Sequence, residues 1–194
     1  MATIAKSVRG DPAQETAWLG AIAQGDRRAF EALYKEYAPR VFRFVVRMIR
    51  DESKAEEVVN DVMVEIWKSA ALFEGRSSPS TWILSIARFR ALNAVRGKKL
   101  DTTDIDEATN IADEQEGLAE VTDRYAQRKL LKTAIEHLSQ AHREVLELTF
   151  FHGLNCKEIA EIVERPENTV KTRMFHAKKR LVPILEGMGI VGAT

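Results

Sequence analysis

Residues 154–181 read LNCKEIAEIVERPENTVKTRMFHAKKRL, and this stretch decides the fold of the second half of the chain. Asn155 stands where a helix N-cap is expected, and Glu158 follows three residues later, as in a capping box. Pro166 then interrupts the apolar spacing, because proline cannot continue a helix interior, and the spacing resumes as far as Leu181. Two helices joined by a tight break are typical of a helix-turn-helix.

The second of these helices carries polar and basic residues on the side away from its apolar stripe. A helix in the major groove of DNA needs such residues, because amide, hydroxyl and cationic groups read base edges and bind phosphates. A merely solvated amphipathic helix is the alternative, but the tight break and the small Ala160 favour DNA binding. The predicted DNA contacts are Asn168, Thr169, Lys171, Thr172, Arg173, His176 and Lys178.

Helical spacing also fills the first half of the chain. Residues 41–49 carry a broad apolar stripe, and a second apolar series repeats at i, i+3, i+4 and i+7 over residues 59–66. A third helix follows the turn-rich stretch 74–79, with Ser80 or Thr81 as its expected cap. Strand signals are nearly absent, so the sequence predicts an all-α protein.

Acidic and basic residues are concentrated in different parts of the chain, although the 29 lysines and arginines balance the 29 aspartates and glutamates. Nine acidic residues and no basic residue occur between Asp101 and Asp123. Acid bias and weak apolar periodicity predict a flexible linker there, with a solvated acidic loop as the alternative. The predicted domains are an N-terminal extension at 1–20, a helical domain at 21–99, the linker at 100–124, a second helical domain at 125–187 and a tail at 188–194.

Composition excludes several other classes of protein. No apolar run reaches the ~20 residues of a membrane span, and the N-terminus does not read as a signal peptide, so a cytoplasmic location is expected. The single cysteine, Cys156, and four scattered histidines offer no metal-ligand spacing, and Cys156 is interpreted as a small core residue. No phosphate-binding loop, dinucleotide fingerprint or catalytic triad occurs, which predicts a protein without catalysis, metal or cofactor.

Four further stretches carry a resemblance to a known family. They read FEALYKEY at 30–37, AEEVVNDVMVEIW at 55–67, STWILSIAR at 80–88 and LSQAHREVLEL at 138–148. The first three resemble successive parts of region 2 of bacterial sigma factors, and the fourth, with the helix-turn-helix, resembles region 4. A chain of 194 residues resembles the compact extracytoplasmic-function group, in which two helical domains are joined by a linker.

The resemblance implies three binding surfaces. One docks on the core RNA polymerase through Asp61, Val62, Glu65, Ile66 and Trp67, with Ile66 and Trp67 as anchors. A second captures the melted non-template strand of the minus-ten element, with a flipped base in a loop pocket, through Phe73, Arg76, Ser80, Thr81, Trp82, Arg88, Arg90, Asn93 and Arg96. The third is the second helix of the helix-turn-helix, which reads the minus-thirty-five element.

The family also implies an anti-sigma partner, a role in a stress response and a place for the acidic linker in the RNA channel of the polymerase. Glu164-Arg165-Pro166 replaces a turn that often contains glycine, and His176 replaces a frequent arginine, so promoter preference does not transfer. A regulator that binds duplex DNA alone is the first alternative, and a protein-binding helical adaptor is the second. For Trp82, the alternative to a stacking platform for a base is an ordinary position in the core.

Overall fold

The computed structural model describes residues 10–101, 133–135 and 137–187, and within 97–101 it describes the helical backbone only. These residues form helices and turns without strands, in agreement with the predicted all-α class. The helices are α1 (Pro12–Ala23), α2 (Arg27–Ile49), α3 (Glu52–Ser69), a 3₁₀ turn (Ala70–Leu72), α4 (Pro79–Asp101), α5 (Gln140–Phe150), α6 (Cys156–Val163) and α7 (Glu167–Gly187).

Aspartates begin the first three helices. The Asp26 carboxylate accepts from the Arg28 backbone N–H at 2.8 Å, and the Asp51 carboxylate accepts from the Lys54 N–H at 3.0 Å. Asp11 caps α1 in the same way. Each carboxylate satisfies an N–H group that the first turn leaves without a partner and also lies favourably at the positive end of the helix dipole.

The start of α4 differs from the prediction that Ser80 or Thr81 caps it. The helix begins at Pro79, and the Oγ of Ser78 accepts from the Thr81 backbone N–H at 3.2 Å. Proline suits the first helical position because its missing N–H needs no partner there. Ser78 is therefore the cap, and Ser80 and Thr81 lie inside the first turn.

Helices α1 to α4 pack around one apolar core. Leu33, Val41 and Phe44 of α2 are all buried, and α2 contacts both α3 and α4. Leu19 and Ile22 of α1 are buried in the same core, so α1 crosses the boundary predicted between residues 20 and 21. The second half of the predicted N-terminal extension is thus packed on the first domain.

The helix-turn-helix forms as the sequence predicts. Asn155 accepts from the N–H groups of Lys157 and Glu158, and the Glu158 carboxylate accepts from the Asn155 N–H at 2.9 Å, which confirms the capping box. Glu164 adopts the left-handed conformation, with φ at 52°, and ends α6. Ile159, Val163 and Val170 form the buried face between α6 and α7.

We expect Asn155→Ala to lower the free energy of unfolding by about 1 kcal/mol, within the range of about 0.5–2 kcal/mol known for cap residues. The side chain satisfies two backbone N–H groups that alanine leaves unpaired. Ser139→Ala is the matched control, because Ser139 holds the same position before α5 without a side-chain cap bond. Denaturant unfolding of both variants measures the difference, and equal losses would contradict the role of the cap.

Helix α4 continues to Asp101, two residues into the segment predicted as linker. The remainder of that linker and the predicted tail lie outside the described residues. No helix of the described part is long and apolar enough to cross a membrane.

Candidate nucleic-acid interface

One side of α4 combines aromatic and polar groups, of which Phe89, Asn93 and Arg96 are exposed and Trp82 is partly buried against the core. Trp82, Phe89, Asn93 and Arg96 are spaced so that, at about 100° per residue, they share the side opposite the buried Ala87 and Ala91, and they span about 21 Å along the helix. Phe89 is 59% exposed, which is unusual for a phenylalanine without a partner. Exposed rings beside an arginine and an amide provide the stacking and phosphate contacts of a single-strand site.

A small pocket lies beside this side of α4. Its volume is about 270 Å³, and it is lined by Leu72, Phe73, Glu74, Arg76, Ser77 and Trp82. The rings of Phe73 and Trp82 are 5.4 Å apart between centroids and form its apolar wall. Arg76, paired with Glu74, is 83% exposed at the rim. Flat walls and a cationic rim suit one flipped base and its phosphate, and the pocket is smaller than most small-molecule sites.

Two of the residues predicted to bind the minus-ten strand are buried instead. Ser80 is 5% exposed and Thr81 1% exposed. The hydroxyls of Ser80 and Tyr37 lie 2.8 Å apart, and Arg40 lies 3.6 Å from Glu15 next to them. Burial raises the pKa of Glu15, against the lowering effects of Tyr37 and Arg40. Ser80 and Thr81 are thus buried at the start of α4 and do not face solvent in this conformation, and their contact with DNA stays a prediction.

The two arginines that flank the exposed side of α4 are already paired. Arg90 donates to Glu65 of α3 at 2.6 Å, with both side chains 36% exposed. Arg88 points to the other flank, where its Nε donates to Glu144 of α5 at 2.6 Å. Arg90 therefore remains partly accessible, whereas DNA must displace Glu144 to reach Arg88.

Helix α3 presents only part of its predicted polymerase surface. Val62 and Ile66 are fully buried in the core of the first domain, so neither side chain is presented to a partner in this conformation, and the role of Ile66 as an anchor stays a prediction. Asp61 is exposed and Glu65 is partly exposed on one side. Trp67 lies about 120° around the helix from Asp61. Its ring packs edge-on against Phe30, with ring centroids 5.2 Å apart.

The outward side of α7 is polar near its N-terminus and basic further on. Asn168 and Thr172 are exposed, and the Thr172 hydroxyl donates to the Asn168 carbonyl at 2.9 Å. Lys171 is exposed and pairs with Glu167 at 2.7 Å, and this bond raises the pKa of Lys171. His176 and Lys178 are exposed, whereas Thr169 and Arg173 are half-buried on the flank.

Several cations surround α7. Burial lowers the pKa of His142, and the positive charges of Arg180, His176 and Arg173 lower it further. A groove of about 490 Å³ beside this helix is lined by His137, Leu138, His176, Lys179, Arg180, Pro183 and Ile184. Positive charge concentrated on one side of a helix-turn-helix favours an anionic partner such as duplex DNA.

Sequence reasoning missed three exposed residues on these surfaces. Phe89 of α4, Phe175 of α7, which is 62% exposed, and Lys179 all lie on the outward sides. Helical periodicity could have identified them, since each residue falls opposite the apolar stripe of its own helix.

Among the described residues, no group of three histidine, cysteine, aspartate or glutamate side chains is placed to hold a metal ion. Cys156 is partly buried at the first position of α6 and is a free thiol.

Two family models match the chain. The model for sigma-70 region 2 matches residues 33–100, and the model for sigma-70 region 4 matches residues 128–181. Together they include the exposed side of α4, the polar side of α3 and the whole helix-turn-helix.

Similar proteins cover most of the chain. The ECF RNA polymerase sigma factor RpoE of Cereibacter sphaeroides is 31% identical over 88% of this chain and 96% of its own. The ECF sigma factor SigX of Bacillus subtilis is 30% identical over 78% and 81%. Each alignment covers more than three quarters of both chains.

Solved structures show the same arrangement of helices. RpoE of Bartonella quintana, in complex with the anti-sigma factor NepR, has a TM-score of 0.64 and 25% identity over 81% of this chain and 96% of its own. CnrH, in complex with the cytosolic domain of CnrY, has a TM-score of 0.65 over 90% and 98%, and its 19% identity supports the fold alone.

Proposed function

Because the chain belongs to the extracytoplasmic-function group of the sigma-70 family of RNA polymerase sigma factors, we propose that it directs core polymerase to particular promoters and opens them. It recognises a minus-thirty-five element as duplex and a minus-ten element as melted strand. The role is one of binding, and no catalytic step is assigned to the chain.

The exposed side of α4 with its adjoining pocket carries this proposal. The exposed Phe89 ring, the Asn93 amide and Arg96 lie in one line on α4 and can hold unpaired bases, which duplex DNA does not offer. A flipped base in the pocket of Phe73 and Trp82 offsets part of the unpairing cost, which is a few kcal/mol. Capture of bases that open transiently therefore shifts the duplex toward the open state.

The other two surfaces bind core polymerase and the upstream promoter element. Asp61 and Glu65 on α3 form the acidic side that docks on the core enzyme, with Trp67 as a second contact. Asn168, Thr169 and Thr172 at the start of α7 face base edges in the major groove, and Lys171, Arg173, His176 and Lys178 hold the phosphates or guanines. Phe175 can contact a thymine methyl group.

An anti-sigma factor is part of the proposal. The solved relative RpoE of Bartonella quintana is bound to such a protein, and this chain exposes apolar side chains that a helical inhibitor could cover. Val64 on α3 and Phe150 and Phe151 on α5 are examples. A cytoplasmic place of action and a stress response follow from the family in the same way, and the inducing signal stays unassigned.

Permanganate reactivity of thymines tests promoter opening directly, because unpaired thymines react and stacked ones do not. Core polymerase with this protein is expected to make a short stretch upstream of each start site reactive, and core polymerase alone is not. Footprints on intact duplex by the chain alone, without reactive thymines in any assembly, would favour a duplex-binding regulator instead.

Phe89→Ala is expected to weaken the capture of minus-ten single strands by about 1–3 kcal/mol, because one base loses its stacking partner. Phe89 is exposed, so the fold should be unaffected. Phe150→Ala is the matched control, as the same residue type at similar exposure on α5. Holoenzyme binding to a labelled single-stranded minus-ten oligonucleotide measures the effect, and equal affinities for both variants would remove Phe89 from the site.

A further inference from the structure

Four polar side chains from three helices meet inside the first domain and form a buried cluster. They are Glu15 of α1, Tyr37 and Arg40 of α2 and Ser80 of α4, and each is at most 5% exposed. The Ser80 hydroxyl donates to the Glu15 carboxylate at 3.4 Å and lies 2.8 Å from the Tyr37 hydroxyl. Because the one proton of Ser80 goes to Glu15, its oxygen accepts from Tyr37, and Ser80 is tied to both α1 and α2.

The other contacts of the buried cluster keep these groups charged or neutral as the bonds require. Burial raises the pKa of Tyr37, so its hydroxyl keeps the proton that it donates. The Arg40 guanidinium lies 3.6 Å from Glu15 and 4.7 Å from the centre of the Tyr37 ring. A buried polar group is costly unless it is paired, so the partners hold one another in place.

The buried cluster adjoins the pocket of Phe73 and Trp82. Ser80 is two residues before Trp82, within the first turn of α4. Leu72, the last residue of the 3₁₀ turn, also lines the pocket, and α1 contacts both that turn and α4. Residues 73–78, which connect the turn to α4, are neither helix nor strand. The distance between the two rings therefore depends on how α1 and α2 hold the start of α4.

We propose that the buried cluster positions the pocket for base capture by holding Trp82 against Phe73 through Ser80. Glu15, Tyr37 and Arg40 are its positioning residues, and their burial keeps them away from the DNA. Helix α1 thus contributes to minus-ten recognition through the core of the domain. The effect on base capture rests on the proposed function, whereas the position of Trp82 does not.

Tyr37→Phe disturbs the buried cluster with the smallest chemical change. It removes the hydroxyl from which Ser80 accepts and keeps the ring beside Arg40. Tyr34→Phe is the matched control, because it removes the same group from an exposed tyrosine of the same helix.

Gly10→Ala disturbs the buried cluster from its other end without removing a polar group. A Cβ at Gly10 would lie 2.5 Å from the Oε1 of Glu15, so the carboxylate must move. Gly20→Ala is the control, since no atom lies within 4 Å of the added carbon there. Circular dichroism checks that each variant is folded, and Gly10→Ala carries the test if Tyr37→Phe unfolds.

Fluorine NMR of the full chain tests the position of Trp82 in the absence of DNA. A fluorinated tryptophan replaces the three tryptophans, and Trp82→Phe identifies the resonance of Trp82. Tyr37→Phe and Gly10→Ala are each expected to shift this resonance, and the two controls are expected to leave it in place.

Holoenzyme binding to a labelled single-stranded minus-ten oligonucleotide measures base capture. Tyr37→Phe and Gly10→Ala are each expected to weaken binding roughly threefold to tenfold, as part of the loss that removal of a whole stacking ring would cause. The captured base is the one whose removal weakens binding of the unmodified holoenzyme most. On an oligonucleotide with an abasic site there, the variants should bind like the unmodified chain, which a general loss of stability would not produce.

Ser80→Ala tests whether Tyr37 acts through Ser80. The bond between them is absent in either single variant, so Tyr37→Phe combined with Ser80→Ala should lose no more affinity for the oligonucleotide than the weaker-binding single variant. Additive losses would overturn this route.

The outcomes separate this inference from the proposed function. A Trp82 resonance that neither Tyr37→Phe nor Gly10→Ala shifts overturns the positioning role. A shifted resonance with unchanged affinity for the oligonucleotide, while Trp82→Ala weakens binding, overturns the role in base capture alone. A shifted resonance with no binding even by the unmodified holoenzyme supports the positioning of Trp82 and overturns the proposed function.

Discussion

Asn168→Ala combined with Thr172→Ala is expected to weaken holoenzyme binding to the upstream promoter element on the order of 100-fold. Both side chains are exposed on the first turns of α7, where a recognition helix meets base edges. Each lost base contact costs about 1–3 kcal/mol of discrimination, and tenfold corresponds to about 1.4 kcal/mol. Binding to duplexes with the natural and a scrambled upstream element, at several salt concentrations, measures the loss.

The matched comparison is Lys178→Ala on the flank of the same helix. Loss of one phosphate contact should weaken binding to both duplexes equally and reduce the slope of log affinity against log salt by about 1. The double variant should instead lose preference with little change in slope. If the double variant discriminates as well as the unmodified protein, α7 does not read the upstream element.

The second large effect is expected at the polymerase surface. Asp61→Lys should weaken binding to core polymerase by roughly 30-fold or more, since removing one partner of an interfacial charge pair costs about 2–5 kcal/mol. Asp61 is exposed, so the change leaves the core of the domain intact. Titration of core polymerase into the labelled chain gives the affinity.

Glu56→Lys is the matched charge reversal, about 140° away around α3 and on the same side as Trp67. A small effect at Glu56 with a large one at Asp61 assigns docking to the side of Asp61 and Glu65. The reverse order would assign docking to the side of Trp67.

Local signals were sufficient for the second domain. The bonds between Asn155 and Glu158 lie within one turn, and the break at Pro166 follows from the chemistry of one residue. Such features depend on neighbours in the sequence and on no distant contact, which is why the helix-turn-helix and its capping box were predictable.

Which of the predicted minus-ten and polymerase-binding side chains are exposed depends on residues far away in the sequence. Ser80 is buried because Tyr37 and Glu15, 43 and 65 positions earlier, close over it. Val62 and Ile66 are buried because α2 and α4 enclose that side of α3. Family motifs predicted which helix binds the strand but not which of its sides faces outward, and periodicity applied to each helix in turn would have identified Phe89.

The packing of the two domains on each other had no signal in the sequence. The partners of Arg47 and Arg88 lie 100 and 56 positions away, across the acidic segment, and either glutamate alone resembles an ordinary surface residue of an amphipathic helix. Pairs of this kind depend on the relative position of two domains, which local periodicity does not determine.

In vitro transcription with bacterial core polymerase on a pool of promoter fragments, with the transcripts sequenced, tests the central claim most directly. We expect discrete start sites that require this protein, with a shared element near minus ten and another near minus thirty-five, and loss of these starts with Phe89→Ala and Asn168→Ala together. Absence of any protein-dependent start on every fragment, with polymerase active under a different initiation factor, would contradict the sigma function.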